Sequence, residues 1–190
     1  MTRAFTTDPL DPDTVDDLVD LGSRAPSAGK TQGWHVIVLE GAAEVMRYWD
    51  ITLPAEKRAT FRWQRLLDAP VLMLPLADPS AYVERYGEPD KERTGLGAGV
   101  EAWPAPYWTI DTSMAVMTML LAAEDRGLGA LFFGVFQREV EVRAEFGIPD
   151  GLEIVGAVAL GHPLPDADEP GRSSARTRRP VEQIIHRGRW

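Results

Sequence analysis

Apolar positions follow two rhythms along this chain, a helical one and an unbroken one of strand length. Val15, Leu18, Val19 and Gly22 recur at helical spacing after Asp11-Pro12, an N-cap with proline at the first helical position, so a first helix is expected from about 12 to 24. Ala25-Pro26-Ser27-Ala28-Gly29 breaks it. Residues 34–39 form a β-branched apolar run that reads as a buried strand. Short helices are expected near 42–49 and 54–67, and residues 70–74 read as a second buried strand.

The stretch 79–108 is rich in Gly, Pro and charge and ends in Trp103, Tyr107 and Trp108, which predicts a long loop or a mobile insertion. Residues 109–126 carry the strongest helical signal. Their inner part, 114–123, is apolar all round, the mark of a buried helix, and is too short to span a bilayer. Gly127 and Gly129 end it; a third strand is expected at 130–133, a helix at 138–146 closed by Gly147, and a fourth strand at 154–160. The first two strands lack in/out alternation, so both faces of the sheet should be covered. Helices alternate with buried strands and no linker divides the chain, which predicts a single α/β or α+β domain over 1–190.

Composition narrows the function classes. A chain of 190 residues, 44% of them hydrophobic, can bury one sizeable core. A net charge of −9 repels a phosphate backbone, so nucleic acid is not an expected partner. No membrane span is expected either: no apolar run nears the roughly 20 residues required, and residues 1–30 lack a signal-peptide pattern, so a soluble, cytoplasmic protein is expected. The absence of Cys excludes disulfides, thiolate nucleophiles and thiolate metal sites, and with only His35, His162 and His186 no metal centre is expected. Charge is unevenly spread. Residues 1–20 hold six aspartates against one arginine, whereas residues 171–190 hold six arginines against Glu182. Such a basic tail either pairs with an acidic partner surface, clasps an anion such as a phosphate, or is simply solvated.

Hydrolytic signatures are missing, with neither a G-x-S-x-G elbow nor an H-E-x-x-H helix. The glycine-rich run 95–99 has no strand before it and no buried helix beginning there, so it reads as a loop rather than a dinucleotide fingerprint. The segment 25–35 is a polar loop between a helix and a buried strand, the kind of place where ligands bind.

That segment, Ala25-Pro26-Ser27-Ala28-Gly29-Lys30-Thr31-Gln32-Gly33-Trp34, resembles the A-P-S-x-x-N-x-Q-P-W signature of the nitroreductase family of FMN-dependent oxidoreductases. The similarity continues in order along the chain. Arg3-Ala4-Phe5 resembles the end of the family's N-terminal R-R-S-x-R-x-F motif, and Leu67-Asp68-Ala69-Pro70 resembles the entry to its second strand, with Arg65 at a commonly basic position. Residues 121–129 are similar to its L-A-A-x-x-x-G-L-G, residues 133–136 occupy its flavin-facing strand end, and Ile148-Pro149, residues 159–163, residues 176–180 and the final five residues complete the pattern. Lys30 stands where the family has Asn, Gly33 where it has Pro, and Val135 where many members have a second Gly; the motif's first Arg and Ser have no counterpart before Arg3.

The resemblance implies an α+β nitroreductase-like fold, a central mostly antiparallel sheet covered by helices, in an intertwined homodimer with FMN at the subunit interface. It implies that Arg176 and Arg178 bind the FMN phosphate, that Pro26, Ser27, Ala28 and Lys30 reach the partner chain's flavin, that the backbone N–H of Gly134, beside Phe133, faces the ring, and that Arg3 and Arg65 lie at its pyrimidine edge. Trp103, Tyr107 and Trp108 are candidates for the substrate wall above the flavin, or for dimer packing. The implied reaction is ping-pong: NADPH or NADH delivers a hydride to the flavin, and a nitroaromatic, quinone or similar electron-poor small molecule is then reduced, with no protein residue required as an acid or base. Specialised members that dehydrogenate, dehalogenate or fragment flavin, and a non-catalytic flavin-binding dimer, are the alternatives.

Overall fold

The computed structural model describes residues 1–190 throughout. Asp11 caps helix α1 (Pro12–Ser23) by accepting the Asp13 N–H, and the loop after it leads into strand β1 (Trp34–Glu40). Helix α2 (Gly41–Thr52), the four-residue α3 (Ala55–Arg58), β2 (Val71–Ala77) and α4 (Pro79–Tyr86) follow. The long α5 (Tyr107–Asp125), β3 (Gly129–Phe133), α6 (Glu139–Phe146), the two-residue β4 (Glu153–Ile154) and β5 (Ala157–Gly161) complete the fold.

The strands form one antiparallel sheet in the order β1-β2-β5-β3, with β4 on β2. Each face carries its own core. Leu72, Leu74 and Leu76 of β2 pack with Val45, Tyr48 and Trp49 of α2 and Val142 of α6, whereas Val71 and Met73 turn the other way onto Val15 and Leu18 of α1 and Val116 and Met119 of α5. Alternate β2 side chains thus enter different cores, both apolar. This two-sided burial is why the strand shows no polar rhythm.

Four expectations change. Residues 54–67 form only α3 and a 3₁₀ turn at Gln64–Leu66. The strand expected at 154–160 is two strands: β4 pairs Ile154 with Leu76, β5 pairs Val158 with Met73, and the register slips by one residue between them. Pro75 faces this break through its carbonyl, which accepts the Val155 N–H, and it has no N–H of its own to continue the ladder. Segment 79–108 is not a loop throughout. Asp78 caps α4 by accepting from the Ser80 and Ala81 N–H groups, with Pro79 at the first helical position, and three 3₁₀ turns follow. Finally, α5 is not covered all round. Its Ala115, Val116, Met119 and Ala123 are buried, but Tyr107, Met114, Met117 (52% exposed) and Leu121 (59%) line an open apolar face.

Candidate active site

Strand β3 ends in Phe132-Phe133, whose aromatic surface needs cover, and α2 supplies it. Trp49 stacks on Phe133 with ring centroids 5.8 Å apart and planes 6° from parallel. Beyond this stack the chain leaves an apolar cavity of about 450 Å³, bounded by Tyr48, Trp49, Phe61, Trp63, Phe133 and Gly134, with Arg3 the one cation on its wall. Burial pushes the Tyr48 phenol up to about 12, so it stays neutral there. The indole N–H groups of Trp49 and Trp63 are buried without a hydrogen-bond partner. Gly134 is covered by the ring of Phe136, itself 93% exposed.

Trp63 and Arg3 also border a second cavity, of about 450 Å³, which adds Arg62, Arg65 and the segment 166–170. The guanidinium carbons of Arg3 and Arg62 lie 5.7 and 5.5 Å from the Trp63 ring centroid, a cation–π arrangement with two cations. Acidic groups balance them: Arg62 pairs with Glu169 at 3.0 Å, Arg65 with Asp68 at 2.7 Å, and the Arg3 backbone N–H donates to Asp168 at 2.7 Å. An aromatic slot thus meets a polar one, lined by arginines and acids alike, across Arg3 and Trp63.

The loop after α1 borders a third, polar cavity of about 550 Å³, lined by Asp20, Arg24, Pro26, Ser27, Lys30 and Gln32 among others. Ser27 Oγ accepts the Gln32 N–H, and the Gln32 side chain donates to Ser23 O, each at 3.1 Å. Ala28 donates its N–H to the buried carboxylate of Asp111 at 2.7 Å.

The structure therefore brings Arg3, Phe133 and Gly134 to one cavity, Arg3 and Arg65 to a second, and Pro26, Ser27 and Lys30 to a third. Arg176 and Arg178 lie on an exposed tail. Trp103 and Trp108 are buried with Tyr82 in a separate cluster, their indoles taken up by hydrogen bonds to Leu96 O at 3.1 Å and Glu153 at 2.9 Å; of the expected wall residues Trp103, Tyr107 and Trp108 only Tyr107 is open to solvent. Sequence reasoning missed Trp49, Arg62, Trp63 and Asp111. Only Asp111 carried a signal, being an acid at the head of an apolar helix.

Fold and cavities describe an α+β protein built around a helix-covered antiparallel sheet, with an aromatic cavity at the end of β3 and arginines beside it. The family model described as the nitroreductase family matches residues 1–162, so the chain belongs to that family and is an oxidoreductase. A 4-nitrobenzoate reductase of Nocardioides sp. is 30% identical over 198 residues, 90% of this chain and 79% of that one. An NADH dehydrogenase of Thermus thermophilus is 29% identical over 200 residues, 96% of this chain and 89% of that one. The crystal structure of a nitroreductase-like protein from Streptococcus mutans superposes with a TM-score of 0.76 over 97% of this chain and 92% of that one, at 17% identity, which establishes the shared fold. No helix is long and apolar enough to cross a membrane.

Proposed function

We propose that this protein is a homodimeric FMN-dependent oxidoreductase that uses NADPH or NADH to reduce flat, electron-poor small molecules such as nitroaromatics and quinones. The observation that carries the reading is the junction of the aromatic cavity with the arginine-lined one at Arg3 and Trp63. It suits a flat ring with a polar, electron-rich edge, and the unpartnered indole N–H of Trp63 lies at the same junction. Bound FMN would supply the redox chemistry, accepting a hydride from the nicotinamide and passing it to the acceptor.

The chain's own residues would hold and tune that group. Phe133 and Trp49 back the cavity with flat apolar surface, and Gly134, lacking a side chain, lets a ring approach the backbone closely. Arg3 and Arg65 would set positive charge along the ring's polar edge, where a hydride transfer adds negative charge. Arg176 and Arg178 would grip the phosphate through charge-assisted bonds, and Pro26, Ser27, Ala28 and Lys30 would reach the cofactor of the partner chain. The open face of α5, with Met114, Met117 and Leu121, and the apolar tail residues Ile184, Ile185 and Trp190 call for a second copy as cover. Tyr107, on that same face, would border the substrate.

The test is the visible spectrum of the freshly purified protein, before and after anaerobic addition of NADH or NADPH. A flavin spectrum that bleaches is the expected result. A protein that stays colourless after incubation with FMN overturns the reading.

A further inference from the structure

The loop after α1 holds a backbone it would not adopt alone. Gly29, Lys30 and Gln32 have φ of 62°, 56° and 53°, and the last two carry side chains that disfavour this left-handed region. Such a conformation persists only where the surroundings impose it. Three contacts from α4 and α5 do so. The Asp111 carboxylate, 5% exposed, accepts the Ala28 N–H at 2.7 Å and the Tyr82 hydroxyl at 2.8 Å on the same oxygen. Arg85 donates Nε to Gly29 O at 3.0 Å while Glu88 and Asp90 hold its guanidinium from the other side. Gly29 and Gly33 sit so close to Tyr86, and to Ala81 and Tyr82, that a Cβ at either would collide with them. Tyr82 in turn is wedged edge-on between Trp103 and Trp108. Burial and the neighbouring carboxylate push the Tyr82 phenol well above its ordinary range, so it remains a donor.

We propose that Asp111 is a positioning residue, joining α5 and the α4 platform to the 26–33 loop so that Ser27, Ala28 and Lys30 are presented in a cofactor-binding geometry. The proposal rests on the reading that this loop contacts FMN. It also accounts for the 79–108 segment, since α4 and the turns behind it are the bed on which the loop is shaped. A carboxylate suits the latch because one oxygen can take two donors at once and its charge strengthens both bonds.

Two measurements test it on the full-length protein: hydrogen exchange of the 26–33 amides without FMN, and FMN affinity by fluorescence titration. Asp111→Ala should speed exchange in the loop while β2 and β5 stay protected, and should weaken FMN by roughly ten- to a hundredfold, the worth of the charge-assisted bond from Ala28 that orders the loop. Asp111→Asn keeps an oxygen able to accept both donors, without the charge, and should recover about half of each effect. In a Ser27→Ala/Lys30→Ala background the Asp111→Ala penalty on FMN should shrink, because both changes disable the same loop. Unchanged loop exchange in Asp111→Ala, an exchange increase spread over the whole sheet, or an Asn variant as damaging as Ala would overturn the proposal. If Asp111→Ala does not fold, Tyr82→Phe replaces it: the same changes in smaller measure are expected, and unaltered exchange overturns the latch. Wild-type FMN affinity in Ser27→Ala/Lys30→Ala, with the loop loosened by Asp111→Ala as expected, instead removes the underlying contact between loop and cofactor, and the positioning role falls with it.

Discussion

The ring of Phe136 lies over Gly134, closing the space that a Cβ at that glycine would enter. Because the ring is almost fully exposed, it can swing away at little cost, whereas the backbone leading into Gly134 is held in its ladder with β5. Gly134→Ala should therefore fold with nearly unchanged stability. A ligand ring pressed against that backbone would meet the added methyl, and overpacking of about 1–3 kcal/mol corresponds to a roughly five- to hundredfold rise in the FMN Kd. Thermal unfolding together with flavin titration checks both halves; an unaltered Kd removes Gly134 from the binding surface.

Arg176 and Arg178 have no carboxylate partner within the chain, although Arg62 on the domain surface does. If their partner is the FMN phosphate, replacing both with Ala removes two charge-assisted contacts of roughly 1.5–3 kcal/mol each. The FMN Kd should rise by about two to four powers of ten. An affinity equal to wild type would take the phosphate away from the tail.

Met117 and Leu121 stand one helical turn apart on the uncovered face of α5. Sedimentation at micromolar concentration should show a dimer for the wild type. Met117→Glu/Leu121→Glu would place two charges in the contact and should yield a folded monomer, since burying unpaired charge is costly whereas exposing it here is not. A wild-type monomer that retains flavin contradicts the interface.

Asp78 supplies a pH prediction. Burial opposes its charge, but hydrogen bonds from the Ser80 hydroxyl and the Ala81 and Ser80 N–H groups, with His35 Nε2 3.6 Å away, outweigh it and hold the carboxyl below its ordinary value of 3.8. A group whose folded value is depressed contributes stability above the ordinary value and loses it as pH falls through the folded one. Asp78→Ala should cost about 1 kcal/mol at pH 7, a typical N-cap loss. That gap should narrow as pH falls below 3.8, by the part of the cap that depends on the carboxylate's charge. Urea unfolding of both proteins between pH 7 and 3 measures it; a constant gap would mean the cap acts without its charge.

How much is legible in the chain differs from element to element. Asp78-Pro79 is the same helix start as Asp11-Pro12, yet only the first stands out, because a long apolar rhythm follows Asp11 whereas α4 is eight residues surrounded by Gly, Pro and charge. The open face of α5 could not be distinguished from a buried one: Met114 and Met117 are as apolar as Met119, and only packing decides which of them meets α1 and the sheet. For the site, the motif residues Arg3, Gly134 and Ser27 were legible as types in order. Trp63 under Arg3 and Asp111 beneath the loop were not, since the partner in each case lies far away in the chain.

By itself the amino-acid sequence determined the local and the compositional: helix starts from capping residues, buried strands from unbroken apolar runs, the exclusion of cysteine chemistry, and a family pattern spread over the chain. The tertiary structure alone decided which side chains share a cavity, where Pro75 breaks a neighbouring strand, and which carboxylate secures the strained loop. The reason is physical. Capping and periodicity act over a few residues, and so leave a trace in the order of the chain. Cavities, latches and ladder breaks arise between segments tens of residues apart, and exist only once the sheet has brought them together.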